Sequence, residues 1–198
     1  MSARSRRKVD ARRLDRCEQQ GGYVVTRDPG GADPTVVWQG RKVHLRPLLA
    51  EDAADYRAFH ASLHLPCGSR ASYVRLPPPQ EFSTRMVDAR EVTIAAFSDD
   101  SPVKILGIAR ATLGSDKVAA DATIVLRPEL AGLGLGRLLL GMLIIECRAR
   151  GVRELVGEMS ADDHRMIELA RAFCFVTAPA AAIGRLSLRL VLDGAVAD

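Results

Sequence analysis

The chain has 198 residues, of which 47% are hydrophobic and 26% charged, and this balance excludes a disordered, collagen-like or disulfide-stapled small protein. The formal net charge of +4 equals that of residues 1–21 alone, where seven basic side chains stand against three acidic ones. Because the rest of the chain is formally neutral, we expect nucleic acid to be a partner only through this basic arm.

The four cysteines are scattered, without a C-x-x-C pair and without histidines at zinc spacing: Cys17, Cys67, Cys147 and Cys174. This usage predicts no metal and no structural disulfide, with Cys147 as a buried small hydrophobe. The apolar run around Leu138 to Ile145 is too short to span a bilayer, and the basic start lacks the apolar core of a signal peptide. The sequence therefore predicts a cytoplasmic protein without a membrane segment.

Residues 1–40 are predicted to form a basic, partly flexible N-terminal extension, and residues 41–198 the globular domain. The extension is dense in turn residues from Asp28 to Pro34. Two short strands are predicted within it, at Tyr23–Val25 and Val36–Trp38.

The first half of the globular part begins with a short strand over Lys42–Pro47 and continues with a helix. Helical spacing of apolar residues predicts that helix over Ala50–Leu63, and a second, short helix is predicted over Gln80–Val87. Three strands with short turns then predict an antiparallel meander. These strands are Glu91–Ser98, Val103–Leu113 and Val118–Leu126.

The second half changes in character, because apolar residues recur at helical spacing from Leu135 to Cys147 and Gly151 is placed to end that helix. A strand is predicted over Glu154–Met159. Asp163 is a suitable N-cap for the next helix, whose apolar stripe ends at Phe173. Alternation predicts a final strand over Leu186–Leu192. The elements together indicate an α+β fold in which a meander leads into a strand–helix–strand crossover.

One segment carries a chemical signal, the glycine-rich run Ala131–Arg137 between a strand and a helix. Alternate glycines at a helix N-terminus expose backbone N–H groups where the helix dipole favours phosphate. A dinucleotide fingerprint is one interpretation, with Glu154 or Glu158 as its acid, but the third glycine is one residue early. No G-K-[ST] follows, which excludes a P-loop. A plain glycine-rich turn is the structural alternative.

The surroundings of this run resemble the GNAT superfamily of acyl-CoA-dependent N-acyltransferases. The family's pyrophosphate motif Q/R-x-x-G-x-G/A falls on Ala131, Gly134 and Gly136, with alanine in place of the usual Gln or Arg. Residues 163–175 resemble the family's N-x-x-M-x-x-L-x-x-x-x-G-F helix, with Asp163 for the Asn and Cys174 for the Gly. Residues 43–52 match its opening R-P-x-x-x-x-D. The resemblance implies the GNAT acyltransferase fold, a mixed, mostly antiparallel central sheet flanked by helices.

Within the superfamily the chain is most similar to the GNAT domain of bacterial protein lysine acetyltransferases, on residues 105–110 and 155–158. This resemblance implies acetyl-CoA as cosubstrate, a primary amine acceptor such as a protein lysine, and by analogy a homodimer. The residues it assigns to the cosubstrate are Ile124, Val125, Leu126, Ala131, Gly132, Leu133, Gly134, Leu135, Gly136, Arg137 and Asp163. Arg127 is a further candidate for a phosphate contact, and Tyr73 and Arg75 would border the acceptor.

Acyl transfer to an amine needs a base that removes the ammonium proton. The glutamate that does this in the resembling enzymes corresponds to Asp121, one methylene shorter, which favours a bridging water. No tyrosine follows Leu126 to protonate the leaving thiolate, and His164 is the nearest titratable substitute. These departures leave an alternative open, a catalytically degenerate GNAT-fold module that binds acyl-CoA or a protein partner.

Overall fold

The computed structural model describes residues 24–26, 35–63, 76–79, 82, 90–116 and 118–192. Nine strands are present in this part of the chain: β1 Val24–Thr26, β2 Thr35–Trp38, β3 Arg41–Pro47, β4 Glu91–Ser98, β5 Ile105–Leu113, β6 Ala119–Leu126, β7 Glu154–Ser160, β8 Val176–Pro179 and β9 Arg185–Val191. Three α-helices accompany them: α1 Ala53–Ser62, α2 Leu135–Ala149 and α3 His164–Ala172. Short 3-10 turns precede α1 and α2, at Ala50–Asp52 and Pro128–Leu130.

All nine strands form one sheet in the order β1-β2-β3-β4-β5-β6-β7-β9-β8. Neighbouring strands are antiparallel except β6 and β7, which are parallel and are connected through α2. The predicted meander of β4, β5 and β6 and the crossover that follows it are therefore confirmed. The α+β class and the mixed, mostly antiparallel sheet flanked by helices are confirmed with them.

The strand β8 is the one described strand that the sequence patterns missed. Its four residues are all exposed and end in proline, so they show neither alternation nor a run of buried residues. It pairs with β9 alone, at the edge of the sheet. The helix predicted over Gln80–Val87 lies outside the described residues, apart from Phe82.

The described part of the predicted N-terminal extension belongs to the same sheet. β2 pairs with β3 along its whole length, and Val36 and Trp38 are buried in the main core. The basic residues 1–21 lie outside the described residues, so the division at residue 40 and the role of the arm stay predictions.

Two hydrophobic clusters cover the two faces of the sheet. α2 packs on the first face, and its stripe from Leu135 to Cys147 contacts inward residues of β4, β5 and β6. α1 packs on the opposite face, where Tyr56 and Phe59 meet Ile108 and other strand residues. Alternate residues of the central strands therefore face different helices, which decides what each side of the sheet can bind.

The R-P-x-x-x-x-D pattern has a structural explanation at the corner between β3 and α1. Both guanidinium nitrogens Nη1 and Nη2 of Arg46 donate to the carboxylate of Asp52, at 2.7 and 2.6 Å, and the Leu49 N–H donates to the same group at 2.8 Å. Burial raises the pKa of Asp52, but these hydrogen bonds and the Arg46 charge outweigh it, so the pKa of this carboxyl is lowered. The motif therefore fixes the entry to α1 through these hydrogen bonds.

Two helices end in the same hydrogen-bonded motif with different residues at the left-handed position. After α2, Gly151 has φ +78°, and the Val152 N–H bonds to the carbonyl of Cys147. After α3, Cys174 has φ +62° and the Phe175 N–H bonds to the carbonyl of Ala170 in the same way. Glycine adopts this conformation without steric cost, whereas a residue with a Cβ does not. The cysteine therefore strains the end of α3.

We expect Cys174→Gly to raise the free energy of unfolding by about 0.5–1 kcal/mol, because the gain at positive φ exceeds the added entropy of the unfolded glycine. The midpoint of thermal unfolding should rise by roughly 2–4 °C for each kcal/mol gained. Cys174→Ala is the control, because it removes the thiol but keeps the Cβ. Equal stabilisation by the alanine would show that the thiol, and not the backbone conformation, is unfavourable.

Candidate functional site

The site begins where the parallel strands β6 and β7 separate. They pair only at three positions, and the last of these joins Asp121 to Val156. Beyond it, Ala122–Leu126 of β6 and Gly157–Ser160 of β7 have no ladder with each other in the described structure. The β6 edge therefore offers main-chain donors and acceptors to an extended ligand, as an open sheet edge does.

The glycine-rich run follows directly at the C-terminal end of β6. Gly134 is the N-cap of α2 and has φ +89°, a conformation that a side chain would strain. Four main-chain N–H groups of this run have no acceptor within the described part of the chain. They belong to Gly132, Gly134, Leu135 and Gly136. Together with the positive end of the helix dipole they form a cradle for an anion.

An open cleft of about 410 Å³ connects this cradle to the unpaired edge of β6. It is lined by Ile124, Leu126, Ala131, Gly132, Gly134, Gly136, Arg137, Asp163, Arg165, Met166, Glu168 and Leu169. A narrower pocket of about 40 Å³ continues from it between β6 and β7, past Thr123, Gly157 and Glu158. We call the two together the cofactor cleft.

Eight of the eleven residues predicted to bind the cosubstrate line this cleft, and three do not. The side chain of Val125 is buried on the opposite face of the sheet because neighbouring strand residues alternate. Leu135 is buried in the first core, and the carbonyl of Leu133 accepts a hydrogen bond from Trp38. Val125 and Leu135 can therefore contact a ligand in the cleft only through the main chain, whereas the exposed side chain of Leu133 is not among the residues that line the cleft.

The first turns of α3 contribute lining residues that the sequence patterns did not assign to the site. Asp163 caps the helix, its carboxylate accepting from the Met166 N–H at 3.1 Å. Arg165 reaches across to the glycine-rich run, where its Nη1 lies 3.5 Å from the carbonyl oxygen of Ala131. Its guanidinium also lies beside Gly132. The spacing of Arg165 and Glu168 after the cap was the available signal, since positions three apart share a helix face.

Of the two arginines flanking the glycine-rich run, one has a structural partner. Arg127 donates from Nε to the carbonyl of Ile105 at 2.7 Å, which ties the end of β6 to β5. Its guanidinium lies 5.9 Å from the ring centre of Phe59, on the side of α1. Arg137 lines the cofactor cleft in the first turn of α2. Among these two, only Arg137 is placed to meet a phosphate.

Asp121 lies on the face of the sheet that α1 covers. It is paired across the sheet with Thr112, and the neighbouring cross-strand pair is Arg110 with Thr123. Arg110 forms an almost fully buried ion pair with Glu91 of β4. Asp121 is thus a partly buried carboxylate at the apex of the β6–β7 opening, within a polar row on this face.

The described residues contain neither a metal-binding cluster nor a helix that could span a membrane. No cluster of three or more His, Cys, Asp or Glu side chains is arranged there to hold a metal ion. None of the helices in the described ranges is both long and apolar enough to cross a bilayer. Cys147 is fully buried, as predicted, and burial raises its pKa to about 12.

A family model for the acetyltransferase (GNAT) family matches residues 58–175, more than half of the chain. The chain belongs to the GNAT acetyltransferase family. Its activity is therefore acetyl-CoA-dependent N-acetylation, and the dinucleotide interpretation of the glycine-rich run is not supported.

Solved structures with the same fold agree with this assignment. The GNAT domain of S. lividans PAT is 18% identical with a TM-score of 0.68, covering 84% of this chain and 100% of that one. The yncA protein of Salmonella typhimurium, solved with its cofactor acetyl-CoA, is 20% identical with a TM-score of 0.60, covering 78% and 96%. The ribosomal-protein-S18-alanine N-acetyltransferase of Escherichia coli is 21% identical with a TM-score of 0.57, covering 77% and 96%.

The residues of this GNAT protein fit the chemistry of acetyl-CoA. The free N–H groups of the cradle suit a diphosphate, and Arg137 and Arg165 add positive charge beside it. The unpaired β6 edge suits an extended arm that carries amide groups. Two carboxylates also line the cleft, those of Glu168 and of Asp163, which stands where the family has asparagine.

The described tyrosine cannot serve the leaving thiolate in this enzyme. Tyr56 is buried on the α1 side, stacks on Phe82, and donates to the carbonyl of Pro77 at 2.6 Å. Burial raises the pKa of its hydroxyl to about 12. His164 is exposed at the start of α3 and does not line the cofactor cleft. Tyr73 and Arg75 lie outside the described residues.

Proposed function

We propose that this GNAT enzyme transfers the acetyl group to a primary amine, with a protein lysine as the acceptor and Asp121 as the general base. The observation that carries the proposal is the position of Asp121. It is the last paired residue of β6 before the strand separates from β7, and it lies on the face opposite the helix that begins at the cradle.

The geometry of β6 relates this carboxylate to the two ends of the cosubstrate. With the diphosphate in the cradle after Leu126, an extended arm along the β6 edge runs back toward Asp121. Leu126 lies five residue steps beyond Asp121 along the strand, about 17 Å at ~3.3 Å per step. The thioester would then lie at the apex of the opening, next to the proposed base.

The chemistry at this apex is direct transfer. A lysine ammonium, with an ordinary pKa of about 10.4, gives a proton to Asp121 through a water. The neutral nitrogen attacks the thioester carbonyl, and unpaired main-chain N–H groups of β6 stabilise the oxyanion. The carbon–sulfur bond then breaks, and the thiolate takes up the second proton that the nitrogen loses. The products are the N-acetyl amine and the free thiol of CoA, and Asp121 releases the first proton to solvent.

We further infer that Arg165 supplies the side-chain phosphate contact that Ala131 cannot make. Its guanidinium already lies against the main chain of Ala131 and beside Gly132. A guanidinium at this place presents several donors to phosphate oxygens. The substitution of alanine for the family's Gln or Arg is thereby compensated from α3.

Acceptor competition tests the proposed substrate class. Acetyl-CoA is supplied with three amines at equal concentration. The first is a peptide with a free lysine and a blocked N-terminus, the second is the same peptide with a blocked lysine and a free N-terminus, and the third is spermidine. We expect CoA thiol release with the lysine peptide and a mass increase of one acetyl group on that lysine. Turnover confined to the free N-terminus or to spermidine would contradict the lysine assignment while leaving the transferase activity intact.

A further inference from the structure

We propose that Trp38 is a positioning residue for the phosphate cradle, contributed by a strand outside the family-matched residues 58–175. Its indole Nε1 donates to the carbonyl oxygen of Leu133 at 2.7 Å, across 95 residues of sequence. Leu133 directly precedes the N-cap of α2. A residue from the N-terminal strands therefore holds the loop that binds the cosubstrate's phosphates.

The position of the indole is itself tightly defined. β2 and β3 are joined by the two-residue turn Gln39–Gly40, in which both residues have positive φ, at +51° and +74°. This turn geometry matches the twist of paired strands and sets the pairing of Trp38 with Arg41. The ring is only 7% exposed and belongs to the first core. The N–H donor is thus presented to the loop from a packed, fixed side chain.

The hydrogen bond orients a neighbouring donor in the cradle. In a planar trans peptide the carbonyl and the following N–H point in opposite directions. Because the Leu133 carbonyl points to Trp38, the Gly134 N–H points away from the indole. That N–H has no acceptor within the described part of the chain, and Gly134 lines the cofactor cleft. Trp38 therefore holds the Leu133–Gly134 peptide with its N–H available to an anion.

Trp38→Phe tests this role, because it removes the N–H donor and keeps an aromatic ring in the core, although the smaller ring also leaves some core volume unfilled. We expect the dissociation constant and the KM for acetyl-CoA to rise about fivefold to tenfold, the effect of one lost hydrogen bond. We expect kcat to stay within about twofold, since the reacting groups are elsewhere. With S-acetylpantetheine, which lacks the diphosphate and nucleotide, the variant and the wild type should have equal kcat/KM.

Val36→Ala is the matched control. Val36 is fully buried in the same strand and the same cluster, but its aliphatic side chain has no hydrogen-bond donor to offer the loop. It should lower the thermal midpoint and leave the acetyl-CoA dissociation constant of the folded protein unchanged. If both variants weaken binding equally, or if Trp38→Phe weakens S-acetylpantetheine use as much as acetyl-CoA use, the positioning role is wrong.

The chain contains a single tryptophan, so its fluorescence provides a second, independent readout. Saturating acetyl-CoA should change the emission of the wild type, because the ligand binds the loop to which the indole is bonded. S-acetylpantetheine should produce little change. Unchanged emission at an acetyl-CoA concentration that calorimetry shows to be saturating would overturn the proposal. Failure of the wild type to bind acetyl-CoA at all would instead contradict the cosubstrate assignment.

Discussion

Asp121→Asn should lower kcat by about 10²- to 10⁴-fold, the usual contribution of a positioned general base, while the dissociation constant of acetyl-CoA stays within about twofold. Asparagine has the same shape as aspartate but accepts no proton at neutral pH. The residual activity of the variant should rise about tenfold per pH unit, because only the spontaneously neutral fraction of the amine can react. Steady-state kinetics between pH 7 and pH 9.5, with calorimetry for binding, measure both effects.

Two further carboxylates serve as controls for that result. Asp116 lies in the turn between β5 and β6 and accepts from the Val118 N–H, so Asp116→Asn should leave kcat unchanged. Glu158 lines the narrow pocket between β6 and β7 and is paired with Arg185 at 3.1 Å. A loss of kcat in Glu158→Gln, with near-normal activity in Asp121→Asn, would show that Glu158 of β7 is the general base instead of Asp121.

Arg165→Ala should weaken acetyl-CoA binding about 10- to 30-fold with little change in kcat. The physical reason is the loss of a charge-assisted hydrogen bond to phosphate, worth roughly 1.5–3 kcal/mol, of which solvent screens part at this exposed residue. The dependence of affinity on salt should also become shallower, since one positive charge has left the site. Titration calorimetry at two ionic strengths measures both quantities.

Because Arg165 is proposed to replace the phosphate contact that Ala131 cannot make, a second substitution can test whether the lost affinity is rescued. Ala131→Arg added to Arg165→Ala restores the family's side chain at the first motif position, and we expect it to recover most of the lost affinity. Arg171→Ala is the matched control, an exposed arginine of the same helix that does not line the cleft. Wild-type affinity in Arg165→Ala would show that Arg165 does not contribute to holding the diphosphate.

Much of the fold was readable because its signals are local. Period-two alternation and short turns identified the strands of the meander, and helical spacing identified α2 and α3 with their caps at Asp163 and Gly151. The glycine-rich run was recognisable as an anion site for the same reason, since a helix N-terminus needs only its own residues to expose N–H groups. The edge strand β8 was not readable, because an exposed four-residue strand is defined by pairing with β9 and not by its own composition.

The candidate site divides in the same way. Asp121 was assigned by alignment on β6, and the register of the sheet then placed it where β6 and β7 part. Arg165 was missed because its relation to Ala131 joins two segments 34 residues apart. Trp38 was interpreted only as a strand residue of an extension, although its hydrogen bond spans nearly half of the chain.

By itself the sequence determined the α+β class, the order of the main elements and the glycine-rich anion loop, because propensity, periodicity and capping act over a few neighbouring residues. Only the tertiary structure decided which side chains surround that loop and which face of the sheet carries the carboxylate. Long-range contacts depend on the sheet register and on how α2 and α3 pack, and no local pattern encodes these. The cofactor cleft is a product of that packing, built from β6, β7, α2 and α3, and a tryptophan of β2 is bonded to the loop beside it.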